Sequence, residues 1–287
     1  MKLLNPFDDK FIYYLKNNHN IHVIDFSTIS GGCVNSTYKI KTKKSFLFIK
    51  INTDFNPFPE EVKGLEELSL TNTFYIPNVV AVGNFKELNY LILEYVDVSK
   101  PSSDFWINFS NNLASLHRNY KDYYGLDYNN YIGSLDQKNT INLDGIEFFI
   151  NSRLLCQLKI AGNNLPVIIH KKFENLFSEL YNLLSVEPAC LLHGDLWSGN
   201  YLVNHHQKSC LIDPAIYYGN REVDISMTKL FGGFPNEFYH YYNNFYPLNY
   251  GWEDRVDIWN LYPLLVHFNL FGNMYLNQID NVLNKYI

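Results

Sequence analysis

The chain has 287 residues, 47% hydrophobic and 17% aromatic, with 23 Tyr and 21 Phe; a disordered chain does not carry this, and one large domain or two interdependent lobes fits it. A formal net charge of -6 without a long Lys/Arg run argues against nucleic-acid binding, and 4 cysteines without CxxC spacing argue against a zinc site or a disulfide framework. No uncharged apolar run of about 18 residues offers a membrane span, and "MKLLNPFDDKFIYY" meets Pro and Asp before a leader could form, so a cytoplasmic protein with reduced thiols is expected.

After an opening amphipathic segment, "SGGCVNSTYKI" puts Gly31 and Gly32 in a turn between strand-like runs, where backbone N–H groups can approach phosphates closely. Most Gly-Gly pairs are ordinary turns, and this one completes neither the Walker pattern nor G-x-G-x-x-G. Cys33 follows it, as a small turn residue or a thiol open to oxidation. "TYKIKTKKSFLFIKIN" reads as an antiparallel hairpin across "KTKK", and period-two alternation places Phe46, Phe48 and Lys50 on one face of its second strand. Pro59 then opens a helix with the stripe Val62, Leu65 and Leu68, carrying Glu60 and Glu61. "VVAVG" and "YLILEYV" are two further strands. The end of the second offers the Glu94 carbonyl and the Val96 N–H to an adenine, or is simply a buried strand end.

From about residue 102 the pattern turns helical, first in "SSDFWINFSNNLASLHRN", whose Ser and Asp suit a cap. Further helices are expected over 144–162, 170–185 and most of 221–287, interrupted by "LLHGD" and by the pair "YLVN" and "SCLID". The sum is an α+β chain with a small β-rich lobe, residues 1–96, and a larger, mainly helical lobe, residues 97–287. No alternating βαβ series supports a doubly wound sheet.

If "YLVN" and "SCLI" pair through "HHQK", Asn200 and Asp213 meet at the open end of the hairpin, with Asp195 on the loop leading in. Each of these residues alone is common in turns and caps. In this order and spacing they match a kinase-type phosphoryl-transfer site: Asp195 as base toward an attacking hydroxyl, Asn200 and Asp213 as magnesium ligands. Lys50 with Glu61, or with Glu60 since the helix phase is loosely fixed, supplies the pair that positions nucleotide phosphates. ATP and Mg2+ are the expected cofactors.

"LLHGDLWSGN", "IDPAIYYGNREVDISMTKLFGGFP" and "GWEDRVDIWNLYPLLVHFNLFG" resemble the fructosamine kinase (ketosamine 3-kinase) family within the aminoglycoside phosphotransferase-like kinases, over about residues 22–276. The resemblance implies a two-lobed protein kinase-like fold, the same roles for Asp195, Asn200, Asp213, Lys50 and Glu61, and Trp197 as a wall for the sugar. It implies phosphorylation of the 3-hydroxyl of a ketosamine such as fructosamine or ribulosamine, free or protein-bound, after which phosphate elimination frees the amine. The chain departs from the family pattern in "NNYIGSLDQ", where relatives carry Thr-Pro-Gln, and in "LDGIEFFINSRL", which lacks a Trp before "FF". Asp136, within the first departure, is a candidate for attracting the protonated amine of a small acceptor. The alternatives are a kinase for another hydroxyl compound, an aminoglycoside or choline-like alcohol, and a non-catalytic nucleotide-binding pseudokinase. The oligomeric state is left open.

Overall fold

In the computed structural model, which describes residues 6–29 and 34–286, the N-terminal lobe is a twisted antiparallel sheet between two helices. Helix α1 (Asp9–His19) precedes β1 (Val23–Thr28), β2 (Ser36–Thr42) and β3 (Phe46–Asn52); α2 (Phe58–Leu70) then leads to β4 (Val79–Phe85) and β5 (Leu88–Glu94). The five strands pair in the order β1-β2-β3-β5-β4, which makes β3 central. Alternation divides the sheet's two faces. Ile49, Ile51, Tyr90 and Ile92 pack with Phe11 and Leu15 of α1. Phe48, Leu91 and Leu93 join Phe58, Leu65 and Leu68 of α2 in a core that continues into the helical lobe. The Asp8 carboxylate accepts the Phe11 N–H at 2.7 Å to start α1, and Asn20, at φ 56°, ends it. Gly31, Gly32 and Cys33 lie outside the described residues.

The second lobe runs α3 (Phe105–Leu116), β6 (Tyr120–Lys121), β7 (Asn130–Ile132), β8 (Leu135–Gln137), α4 (Gly145–Phe148), a π-helical turn (Phe149–Leu154), α5 (Leu155–Ala161) and α6 (Val167–Leu183). It continues through β9 (Ala189–Leu192), β10 (Tyr201–Val203), β11 (Ser209–Leu211), β12 (Tyr217–Gly219), α7 (Glu222–Met227), α8 (Asn236–Phe245), α9 (Trp252–Phe271) and α10 (Leu276–Tyr286). The expected helix over 144–162 is broken in the middle by the π turn, and the one over 170–185 starts earlier, directly after Pro166. Asp104 stands at the start of α3 without a capping bond from its side chain, which instead accepts the Ser103 hydroxyl at 3.1 Å. Strands β6, β7, β8 and β12 span only two or three residues each, too short to leave a period-two signature. Among the described residues no helix is long and apolar enough to cross a membrane.

Candidate active site

The hairpin expected around Asn200 and Asp213 forms with Tyr201 opposite Leu211 and Val203 opposite Ser209. The Ile212 N–H donates to the Asn200 carbonyl at 3.1 Å, so Asp213 is the first residue past the paired end. Flanking chain holds the hairpin on both sides. Tyr75 exchanges bonds with Ser209 and Leu211 at 3.0 and 3.1 Å, and the Ser99 N–H donates to the Val203 carbonyl at 2.8 Å.

The loop carrying Asp195 leaves β9 through Gly194, at φ +81°, where a Cβ would lie 2.0 Å from the Ala215 carbonyl oxygen. Only glycine fits there. Asp224 of α7, fully buried, accepts the His193 N–H at 2.8 Å and the Gly194 N–H at 2.9 Å, with His117 Nε2 at 3.2 Å. His193 Nδ1 accepts the Asp195 N–H at 3.3 Å, which leaves Nε2–H to donate to the Ile212 carbonyl at 2.9 Å; burial lowers the imidazole pKa and keeps this ring neutral. Asn200 Nδ2 donates to both the carbonyl and the carboxylate Oδ2 of Asp195, each at 2.8 Å. Burial pushes the Asp195 carboxyl up to about 7, against the pull of Asn200 and with Asp213 and Asp224 adding to the rise. A carboxyl so tuned suits proton acceptance near neutral pH.

Lys50, on the α2-facing side of β3 with Phe48, is 3% exposed, and its ammonium reaches Glu61 Oε1 at 2.7 Å and Asp213 Oδ1 at 2.5 Å. Burial works against the Lys50 charge, but Asp213 and Glu61 outweigh it and hold its pKa above the usual lysine range. Of the two glutamates that open α2, Glu61 is the one bonded to Lys50. Gly64 of α2 faces Pro214 and Ile216, one residue and three residues past Asp213, at ordinary van der Waals distance for a Cβ. Asp213 adopts a left-handed φ of 54° and is 45% exposed.

These donors fit magnesium. Asn200 spends its amide N–H on Asp195 and so keeps Oδ1, while Lys50 engages only Oδ1 of Asp213. Two hard oxygen donors such as these suit an ion that keeps waters and takes phosphate oxygens. Among the described residues no group of three or more His, Cys, Asp and Glu forms an all-protein cage, and this kind of site needs none. At the lobe junction the Glu94 carboxylate is turned to Tyr75 and to Asn78 Nδ2, and Val96 is half-buried two residues on.

On the other side of Asp195, Trp197 is locked in a tight turn: its N–H donates to the Asp195 carbonyl at 3.2 Å and its carbonyl accepts the Asn200 N–H at 3.0 Å. Its ring meets Phe231 edge-on at 6.3 Å, and Phe231 lies 4.4 Å from the His267 ring. His267 and Tyr275, 5.1 Å apart, continue this partly exposed aromatic wall. Asp136 sits 66% exposed on β8 with its carboxylate 3.6 Å from Lys138 Nζ. The sequence reading gave no role to Asp224 or Phe231. For Asp224 a signal existed: it is an acid between Val223 and Ile225, and a buried carboxylate is costly unless hydrogen-bonded.

The fructosamine kinase family model matches residues 12–287. A "Probable ketoamine kinase" of Enterococcus faecium is 38% identical over 264 residues, covering 90% of this chain and 94% of that protein. A chloroplastic protein-ribulosamine 3-kinase of Arabidopsis thaliana is 33% identical over 274 residues, covering 92% of this chain and 83% of that one. Among solved structures, one from Haemophilus somnus with a provisional fructosamine-3-kinase name superposes with a TM-score of 0.86 at 27% identity, over 96% of both chains. Aminoglycoside phosphotransferase APH(4)-Ia, 13% identical with a TM-score of 0.65 over 96% of this chain and 98% of that one, shares the two-lobed kinase-like fold.

Proposed function

Because the chain belongs to the fructosamine kinase family, we propose that it is an ATP-dependent ketosamine 3-kinase. The observation that carries this reading is the Lys50 ammonium of β3 reaching both Glu61 of α2 at 2.7 Å and Asp213 past β11 at 2.5 Å, beside an Asp195 carboxylate oriented by Asn200. The N-terminal lobe holds the nucleotide, with Lys50 toward its phosphates and Glu94 and Val96 toward its base. Residues 97–287 supply the acceptor side.

In this reading Lys50, held by Glu61, fixes the nucleotide phosphates in the cleft. Asn200 and Asp213 would hold Mg2+, whose charge would offset that of the phosphates. Asp195 orients the sugar 3-hydroxyl and accepts its proton as the oxygen bonds to phosphorus and the bond to the departing nucleoside diphosphate breaks. Trp197 places the sugar ring against the base by stacking, and the neighbouring Phe231 limits its freedom. The product, a 3-phosphate next to a ketone, eliminates phosphate through enolisation, and water then hydrolyses the imine that remains and frees the amine. The acceptor is a small ketosamine, a ribulosamine or erythrulosamine, in the cytoplasm.

ATP consumption measured across ketosamines, aminoglycosides and choline-like alcohols tests the assignment. Turnover confined to ketosamines supports it, and turnover confined to either other class refutes it.

A further inference from the structure

Behind the Asp213 segment lies a buried polar network that none of the roles above uses. Gln137, 1% exposed at the end of β8, donates through Nε2 to the Ala215 carbonyl at 3.0 Å and to Asn130 Oδ1 at 2.9 Å. Its Oε1 accepts the Tyr262 hydroxyl at 2.8 Å, so every polar atom of the amide is satisfied in one orientation only. Asn130, its cross-strand partner on β7, donates to the Ile216 carbonyl at 2.9 Å. Asn139 donates to Asn130 at 2.8 Å, and the Arg153 guanidinium in turn donates to Asn139 Oδ1 at 2.8 Å. Arg153 is fully buried on the π turn, stacked 3.8 Å over Tyr217, and also donates to the Ser152 carbonyl at 3.1 Å and to the Lys138 carbonyl at 2.5 Å.

This network grips two successive carbonyls just past Asp213, while the Ala215 N–H donates to the His193 carbonyl at 2.9 Å and His193 Nε2 holds the Ile212 carbonyl on the near side. Asp213 itself is a non-glycine residue at φ 54°, a conformation that persists only where its surroundings over-determine it. Magnesium is intolerant of displaced ligands.

We propose that Gln137 is a positioning residue for the metal site: through the Ala215 carbonyl, the β7–β8 hairpin holds Asp213 in its ligating conformation. The proposal rests on Asp213 being a metal ligand. A purely structural role for Gln137 would lower stability without distinguishing metal from nucleotide.

The test is Mn2+ binding to the protein–ADP complex by electron paramagnetic resonance, beside ADP affinity without metal by calorimetry. Gln137→Met, which keeps volume and removes the bonds, should weaken Mn2+ about tenfold, the usual size of a loss in a group supporting a metal ligand. Metal-free ADP affinity should stay within about twofold. Tyr262→Phe, which deletes one hydroxyl, should weaken Mn2+ in the same sense by less. Should Gln137→Met fail to fold, Tyr262→Phe decides alone. Unchanged Mn2+ affinity in a folded variant, or equal losses with and without metal, overturns the proposal. A parent protein that binds no Mn2+ in the presence of ADP overturns the metal site as well, which separates the two failures.

Discussion

Lys50 Nζ on β3 stands 2.7 Å from Glu61 Oε1 on α2, and the sheet and the helix meet through this pair as well as through apolar contacts. Glu61→Gln keeps the shape and removes the charge, so Lys50 loses a charge-assisted bond worth about 1.5–3 kcal/mol. The Michaelis constant for ATP should rise about tenfold or more, with a lower unfolding temperature. Steady-state ATP titrations and thermal unfolding of the variant check both. Glu60→Gln, one residue away and outside the bond to Lys50, should leave the ATP constant within about twofold.

Asp195→Asn should retain nucleotide binding and lose most phosphoryl transfer, because an amide cannot accept the hydroxyl proton; general-base steps contribute about 10²–10⁴-fold. Asp213→Ala should instead weaken the Mg2+-dependent part of nucleotide binding, since it removes a charged oxygen ligand. Nucleotide binding measured with and without Mg2+, beside single-turnover rates, distinguishes the two losses. Near-parental turnover in Asp195→Asn would remove it as the base.

A methyl group at Gly199 would lie 2.4 Å from the Trp197 ring. Gly199→Ala should therefore displace the indole and raise the acceptor Michaelis constant, with the ATP constant nearly unchanged. Trp197→Ala should do the same more strongly, with a loss of about 1–3 kcal/mol if the sugar stacks on the ring. Acceptor and ATP titrations of both variants report this, and a Trp197→Ala enzyme with unaltered acceptor kinetics rejects the sugar wall.

Asp136 is exposed and already paired with Lys138, so attraction of a substrate amine to it is worth only about 0–1 kcal/mol. Asp136→Asn should raise the Michaelis constant of amine-bearing acceptors a few-fold at most, with turnover intact. A larger loss would mean that Asp136 leaves Lys138 to contact the acceptor directly.

The strand runs around Lys50 and Asp213 were legible because alternation and spacing act locally: a period of two fixes which face Lys50 takes, and a hairpin fixes that Asn200 and Asp213 meet. Helix phase was not so fixed, and only the folded packing of α2 against the sheet shows that Glu61 rather than Glu60 reaches Lys50. The support of the loop was hidden for a different reason. Asp224 lies 31 positions from His193 and acts by accepting backbone N–H groups, which leave no spacing pattern in sequence. The π turn at Phe149–Leu154 was equally silent, since its residues read as ordinary amphipathic helix. Helix α9 is buried along most of its length, so its apolar residues mark no single face, and Gly272 rather than periodicity marks its end.

The most direct test of the account is the fate of the product. The purified protein is supplied with ATP, Mg2+ and a ribulosamine, and the phosphorylated product is followed by mass spectrometry before and after warming. The account predicts one added phosphate that is lost on warming together with release of the free amine, as a 3-phosphate beside a ketone requires. A stable phosphate ester that releases no amine would place the phosphate on a different hydroxyl and contradict ketosamine 3-kinase activity.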